Sequence, residues 1–218
     1  MQILLVILAI TSVAHIAFII KQKETPRRIS KTLLMPLLLA AYLAGGGNKF
    51  LPIPALILGW IGDVLLIKIQ KKTFFMLGLA SFLLGHIFYI ATFIHIQDFF
   101  GPGGADRINI PAILIFTPPA IVLGMVVFRL IKPTKEMRFP VILYMAVLEL
   151  MSLFGFQVFL SNSSIAGLLI LSGCICFMVS DTILAYYTFR KLKISGSVLL
   201  MSYYILAQTE IIIGLLLL

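Results

Sequence analysis

Long apolar runs broken by short polar stretches pattern the whole chain. They cover residues 2–20, 32–47, 51–68, 74–96, 110–131, 139–160, 165–188 and 197–218. Most approach the roughly 20 residues that a helix needs to cross the hydrocarbon layer of a bilayer. The pattern predicts an all-α polytopic membrane protein, a single integral membrane domain over residues 1–218 with eight transmembrane helices. The second run is short and ends at "GGGN", with only a tight "KFLP" connection to the third. The stretch "QDFFGPGGADRIN", 97–109, is rich in Gly and reads as an irregular connection. The opening run lacks a basic leader and a small-x-small cleavage site, so it reads as a retained first helix.

Composition removes the soluble alternative. Hydrophobic residues make up 61% of the 218, and the mean hydropathy is +1.12. A soluble domain averages about 45–50% apolar residues. Charge then orients the helices. Fifteen of the seventeen lysines and arginines fall after runs one, three, five and seven, whereas the alternate loops carry only Lys49 and Arg107. Basic loops stay on the cytoplasmic side, so both termini are expected on the non-cytoplasmic side. The compact loops suit a bacterial inner (cytoplasmic) membrane. Topology accounts for the net charge of +9 and no nucleic acid is needed; the same cations can also face anionic lipid headgroups.

Ionisable residues inside the apolar runs carry the candidate chemistry. "GWIGDVLLI" holds Asp63 and "CFMVSDTILAY" holds Asp181. A carboxylate at mid-bilayer costs about 2.5–3.5 kcal/mol, so such residues face a bundle interior and mark functional sites. His15, His86, His95, Glu149 and Glu210 share this setting, with Tyr89, Tyr144, Tyr203, Tyr204, Gln157 and Gln208. Asp63 lies five residues before Lys68 and Asp181 nine before Arg190, about 7–8 Å and about 13 Å along a helix. Both therefore occupy the cytoplasmic half. Small residues beside them (Gly59, Gly62, Ser180, Ala185) let helices approach closely. Tyr89 shares a helix face with His86. The interval from Asp63 to His86 equals that from Asp181 to Tyr204, a faint echo of a four-helix duplication.

Two carboxylates in a water-poor site can divide labour, one protonated as general acid and one ionised as base. That suits acid-catalysed hydrolysis of an ether-like bond through an oxocarbenium ion. No GxSxG or HExxH motif occurs. His86 and His95 would stand about 13 Å apart on one helix, and Cys174 and Cys176 point to different faces, so neither a metal nor another cofactor is expected. A rival reading is a proton-coupled lipid or small-molecule transporter, whose relay would use the same buried Asp, Glu and His residues.

Four segments taken together resemble a known family. "GWIGDVLLI", "FMLGLASFLLGHIFYI", "FMVSDTILAY" and "MSYYILAQ" look like the signature segments of the YhhN family of membrane lysoplasmalogenases, in order and spacing, over roughly residues 30–212. The resemblance implies cleavage of the vinyl ether bond of a lysophospholipid, giving a fatty aldehyde and glycerophosphoethanolamine or glycerophosphocholine. It implies Asp63, Asp181 and His86 as catalytic residues. Tyr203 or Tyr204 and Gln208 follow as substrate-binding residues, with Tyr89 beside them. The family often places a lysine just before the proline of the second helix. Here Met35 precedes Pro36 and Lys31 lies one turn earlier, so Lys31 would reach a headgroup phosphate by snorkelling. Membrane lipid and a lysophospholipid substrate are the implied partners.

Overall fold

The computed structural model describes residues 1–99, 108–190 and 194–218. Most of the 97–109 connection, with Arg107, and the basic residues Lys191 and Lys193 lie outside the described residues. Eight helices follow one another: α1 (Gln2–Ile20), α2 (Glu24–Ala44), α3 (Pro52–Leu65), α4 (Lys72–Gln97), α5 (Ile110–Ile131), α6 (Arg138–Ser161), α7 (Ile165–Arg190) and α8 (Ile194–Leu217). No strand occurs among the described residues.

Local chemistry sets the helix ends. Pro52 opens α3 at its first position, where a missing N–H costs nothing. Asn109 caps α5 by accepting from the Ala112 amide at 2.9 Å. Gly46 takes φ +82° after α2, and the Tyr42 ring lies where a Gly47 side chain would go. Glycine therefore suits both positions of the tight turn from α2 back toward α3.

The expected boundaries shift most at α2. The residues between the first two runs are largely helical, because α2 begins at Glu24 and carries Arg27, Arg28 and Lys31 on its first two turns. Arg28 donates to Glu24 at 2.5 Å, one helical turn away. At α3 the α-helix stops at Leu65 and a 3-10 turn takes Leu66–Lys68. Fourteen residues give α3 a length of only about 21 Å, against a hydrocarbon layer of about 30 Å.

Among the described residues, six helices are long and apolar enough to cross a membrane, namely α1, α4, α5, α6, α7 and α8. The other two are α2, with its charged first turns, and the short α3. The chain is an integral membrane protein.

Packing closes seven of the helices into a ring. α1 meets α2, and α3, α4, α6, α7 and α8 follow in turn until α8 returns to α1. α2 also reaches across to α8. Lipid gives little hydrophobic drive between helices, so close approach of small residues matters. A side chain at Gly173 would meet the Ala207 carbonyl at 2.9 Å, and one at Gly214 would meet the Ala166 carbonyl at 2.8 Å, so α7 and α8 press backbone to backbone. Gly62 gives the same room to the Phe82 ring between α3 and α4. Inside the ring lie Tyr42, Tyr89, Phe93, Met151, Phe177 and Ile211, all fully buried.

α5 stands outside this ring, against α6 and α7. Only Ala112, Ala120 and Ile131 of its residues are buried. Hydrogen bonds hold both its ends. Gln157 of α6 pairs with the Asn109 backbone at 3.2 and 3.1 Å, and the Arg190 guanidinium donates to the Leu130 carbonyl at 3.0 Å. Between these ties the helix contains Pro118, Pro119 and Gly124, which weaken its backbone ladder.

Candidate active site

The two aspartates come from opposite parts of the ring and line one cavity of about 260 Å³. Asp63 on α3 is 1% exposed; Asp181 on α7 is half-buried. Ser180, Met201, Tyr204 and Phe82 complete the inner wall, and Arg27, Arg28 and Lys31 of α2 stand at its basic end. The extension of α2 beyond its apolar stretch places these cations there.

Each carboxylate has its own partners. Tyr204 donates its hydroxyl to Asp63 Oδ2 at 2.8 Å, and Lys31 Nζ lies 3.3 Å from Asp63 Oδ1. Tyr144 of α6 donates to Asp181 Oδ2 at 2.5 Å. Burying a carboxylate is costly unless it is paired and hydrogen-bonded. Asp63 meets both conditions, with a cation on one oxygen and a phenol on the other. Asp181 has one phenol and no cation among its described contacts, so the two carboxylates differ in charge environment although they share a cavity.

The network continues inward from Asp63. Gln208, one turn from Tyr204 on α8, accepts from the Tyr89 hydroxyl of α4 at 2.6 Å. Its amide nitrogen and the Tyr204 hydroxyl both sit over Gly59, 3.3 and 3.6 Å from where a Cβ would be. Four helices thereby converge on Asp63: α2 through Lys31, α4 through Tyr89, α8 through Gln208 and Tyr204, and α3 itself. Tyr89 and Gln208 do not line the cavity; they fix the phenol that does.

Three expected site residues are placed differently from the simplest expectation. Tyr203 neighbours Tyr204 in sequence, but it is only half-buried and lines no cavity described here. His86 is 1% exposed, yet neither ring nitrogen has a hydrogen-bond partner among the described residues. Its ring lies 4.6 Å from that of Phe177 and 5.4 Å from that of Tyr144. His86 therefore packs behind Tyr144 and touches neither carboxylate. Lys31 points its ammonium at Asp63, whereas Arg27 and Arg28 sit farther out, half-exposed or exposed.

Tyr144 was legible as a tyrosine inside a helix, but nothing in its spacing announces Asp181, 37 residues away. His15 also lines the cavity. Its Nδ1 bonds Ser30 Oγ at 2.8 Å, and its buried Nε2 has no partner among the described residues. The helical echo does not extend to partners: Asp63 is held from α8 and α2, Asp181 from α6.

Among the described residues no group of three His, Cys, Asp or Glu side chains is placed to hold a metal ion. The chemistry available is that of two unlike carboxylates on one cavity, each bonded to a phenol, with Lys31, Arg27, Arg28 and His15 also lining it.

Among known proteins, the family model of the YhhN family matches residues 26–215. No curated protein and no solved structure matches the chain. The matched region contains both aspartates and every residue bonded to them, and it leaves out α1, the first two residues of α2 and the last three residues. With most of its length matched, the chain belongs to the YhhN family of lysoplasmalogenase-like membrane proteins.

Proposed function

We propose that this chain is an intramembrane hydrolase that cleaves the vinyl ether bond of lysoplasmalogens, releasing a fatty aldehyde and glycerophosphoethanolamine or glycerophosphocholine. The observation that carries the reading is the pair of unlike carboxylates, Asp63 and Asp181, on one cavity with a basic end. All eight helices cross the membrane in this reading. The basic end is cytoplasmic, both termini lie on the other side, and Arg27, Arg28 and Lys31 receive the phosphate.

The roles follow from the partners. Asp63 accepts from Lys31 and Tyr204 on separate oxygens, an arrangement that suits an ionised carboxylate. Asp181 lacks a cation and holds the proton. Asp181 gives that proton to the vinyl carbon remote from the ether oxygen. The other vinyl carbon becomes an oxocarbenium ion. Water adds to it as Asp63 takes a proton from the water, forming a hemiacetal. The hemiacetal hydroxyl then returns its proton to Asp181, the bond from carbon to the glycerol oxygen breaks, and that oxygen takes the proton held by Asp63. Both carboxyl groups end as they began. Such positioned proton transfers supply about 10²–10⁴-fold each.

The test is aldehyde release by purified protein in detergent, with lysoplasmenylethanolamine beside an ester-linked lysolipid. Aldehyde from the vinyl ether alone is the expected result. Intact lipid carried across a liposome membrane, with no aldehyde, would replace the enzyme with a carrier.

A further inference from the structure

A second cavity of about 260 Å³ lies between α5 and the ring, and its lining is mostly apolar, with Glu149 and Thr182 the polar side chains besides Tyr144 and Asp181. Leu79 of α4, Leu123 and Val127 of α5, Met145 and Leu148 of α6 and Met178 of α7 form its walls. It has two residues in common with the polar cavity, Asp181 and Leu184. Tyr144, which holds Asp181, also lines it. Asp181 thus stands at the junction of a polar chamber with a basic end and an apolar chamber beneath α5.

A single-chain lipid has the same order of parts: a charged head, a linking bond, then hydrocarbon. We infer that the apolar cavity under α5 is the binding site for the hydrocarbon chain of the lipid substrate. This rests on the hydrolase reading above and adds where the chain goes. With the phosphate among Arg27, Arg28 and Lys31, the bond to be cut lies beside Asp63 and Asp181, and the chain passes Asp181 into the second chamber. An engineered apolar cavity of about 150 Å³ holds a benzene ring, so this chamber accommodates a longer stretch of hydrocarbon. The side of the chamber that faces lipid is α5, tied at Asn109 and Leu130 and weakened by prolines between. A chain can reach the chamber sideways past its middle.

Two measurements test this. In the first, Val127→Trp and Gly124→Leu narrow the chamber from α5, which buries few of its residues; the leucine also makes the Glu149 carboxylate, against which a Gly124 side chain would stand, turn aside. Val126→Trp is the control, because Val126 is exposed and does not line the chamber. Across lysoplasmenylethanolamines of increasing chain length, the narrowed variants should lose about tenfold or more in kcat/KM on long chains. Short chains should stay near the wild-type value, and the control should follow wild type throughout. Equal loss at every length, or no loss, would overturn the inference.

The second measurement does not need turnover. Lysophosphatidylethanolamine carrying a diazirine at the end of its chain is photolysed with wild-type protein in detergent, and labelled peptides are mapped. Labels at Val127, Met145 or Leu148, displaced by unlabelled lysolipid, support the chamber. Labels confined to outward residues such as Leu114 and Ile115 would overturn it. Wild type that takes up the label in the chamber yet releases no aldehyde from any lysoplasmalogen would sink the hydrolase reading and leave a hydrocarbon-binding site.

Discussion

The ammonium of Lys31 on α2 lies 3.3 Å from one oxygen of Asp63 on α3, while the Tyr204 hydroxyl of α8 holds the other at 2.8 Å. Lys31→Met should therefore leave an uncompensated charge in a dry place. Removing one partner of a buried pair costs about 3–5 kcal/mol, and Lys31, at 17% side-chain exposure, should fall at or below the lower end. Thermal unfolding in detergent reads this loss. The double variant Lys31→Met with Asp63→Asn should recover most of the stability and none of the aldehyde release. A single variant as stable as wild type would show that the pair does not hold α2 to α3.

Asp63→Asn and Asp181→Asn should each lower turnover by at least about 100-fold, with elution profile and circular dichroism unchanged. Amides keep the size of the side chains and can neither give nor take the proton. Turnover within tenfold of wild type in either variant would end the two-carboxylate mechanism.

Tyrosine removal should separate neighbours. Tyr204→Phe and Tyr144→Phe each delete the phenol bonded to a carboxylate, and hydrogen bonds to charged groups contribute about 1.5–3 kcal/mol. A fall of about tenfold or more in kcat/KM is expected for both. Tyr203→Phe touches neither carboxylate and should match wild type. Equal effects at 203 and 204 would contradict the placement of α8.

The contact of α7 with α8 leaves no room at Gly173, where a methyl group would stand 2.7 Å from Ile211 Cγ1 and 2.9 Å from a backbone carbonyl. Gly173→Ala should destabilise by about 1–3 kcal/mol, as overpacking does. Gly155→Ala meets first the thiol of Cys174, a side-chain end that can rotate away, and should cost less. Melting temperatures of the two variants decide the order.

Away from the aspartate cavity, Lys72 of α4 pairs with Glu136 in the connection before α6. Its hydrogen bond and charge hold the Glu136 carboxyl below the ordinary glutamate range. A depressed carboxyl contributes above its unfolded value and loses that contribution as pH falls through the folded one. The pair should thus persist at neutral pH and open only in acid. Both side chains are well exposed, so Glu136→Gln should leave the melting temperature unchanged at physiological salt.

Much of this was readable from residue order, for identifiable reasons. Asp63 and Asp181 stand out because lipid tolerates a carboxylate only where the interior supplies partners. The eight elements stand out because membrane helices satisfy their own backbone and so show as apolar runs. The start of α2 did not, because its first two turns are charged and a hydropathy pattern reads them as loop; the Glu24–Arg28 spacing was the available signal. Tyr203 and Tyr204 could not be told apart, since adjacent residues differ by about 100° around a helix and only packing chooses between them. The phenol on Asp181 comes from α6, and helix order alone does not say which neighbour in the ring supplies it. His86 stands out in the sequence because it is polar and deep; its aromatic surroundings depend on Phe177 and Tyr144 from two other helices and have no sequence signal.

The shortness of α3 and the charge on α2 bear on how the chain first enters a bilayer. The charged first turns of α2 and the 14-residue length of α3 keep both below what a lone spanning helix needs. Together, with the lysine of one neutralising the aspartate of the other across a connection of only seven residues, 45–51, they form a hairpin with far less charge to carry into lipid. In the reading in which all eight helices cross, insertion of this segment is then a two-helix event. In a chain cut after α2, α1 should integrate while α2 stays at the membrane surface; in one extended through α3, the α2–α3 pair should integrate as well.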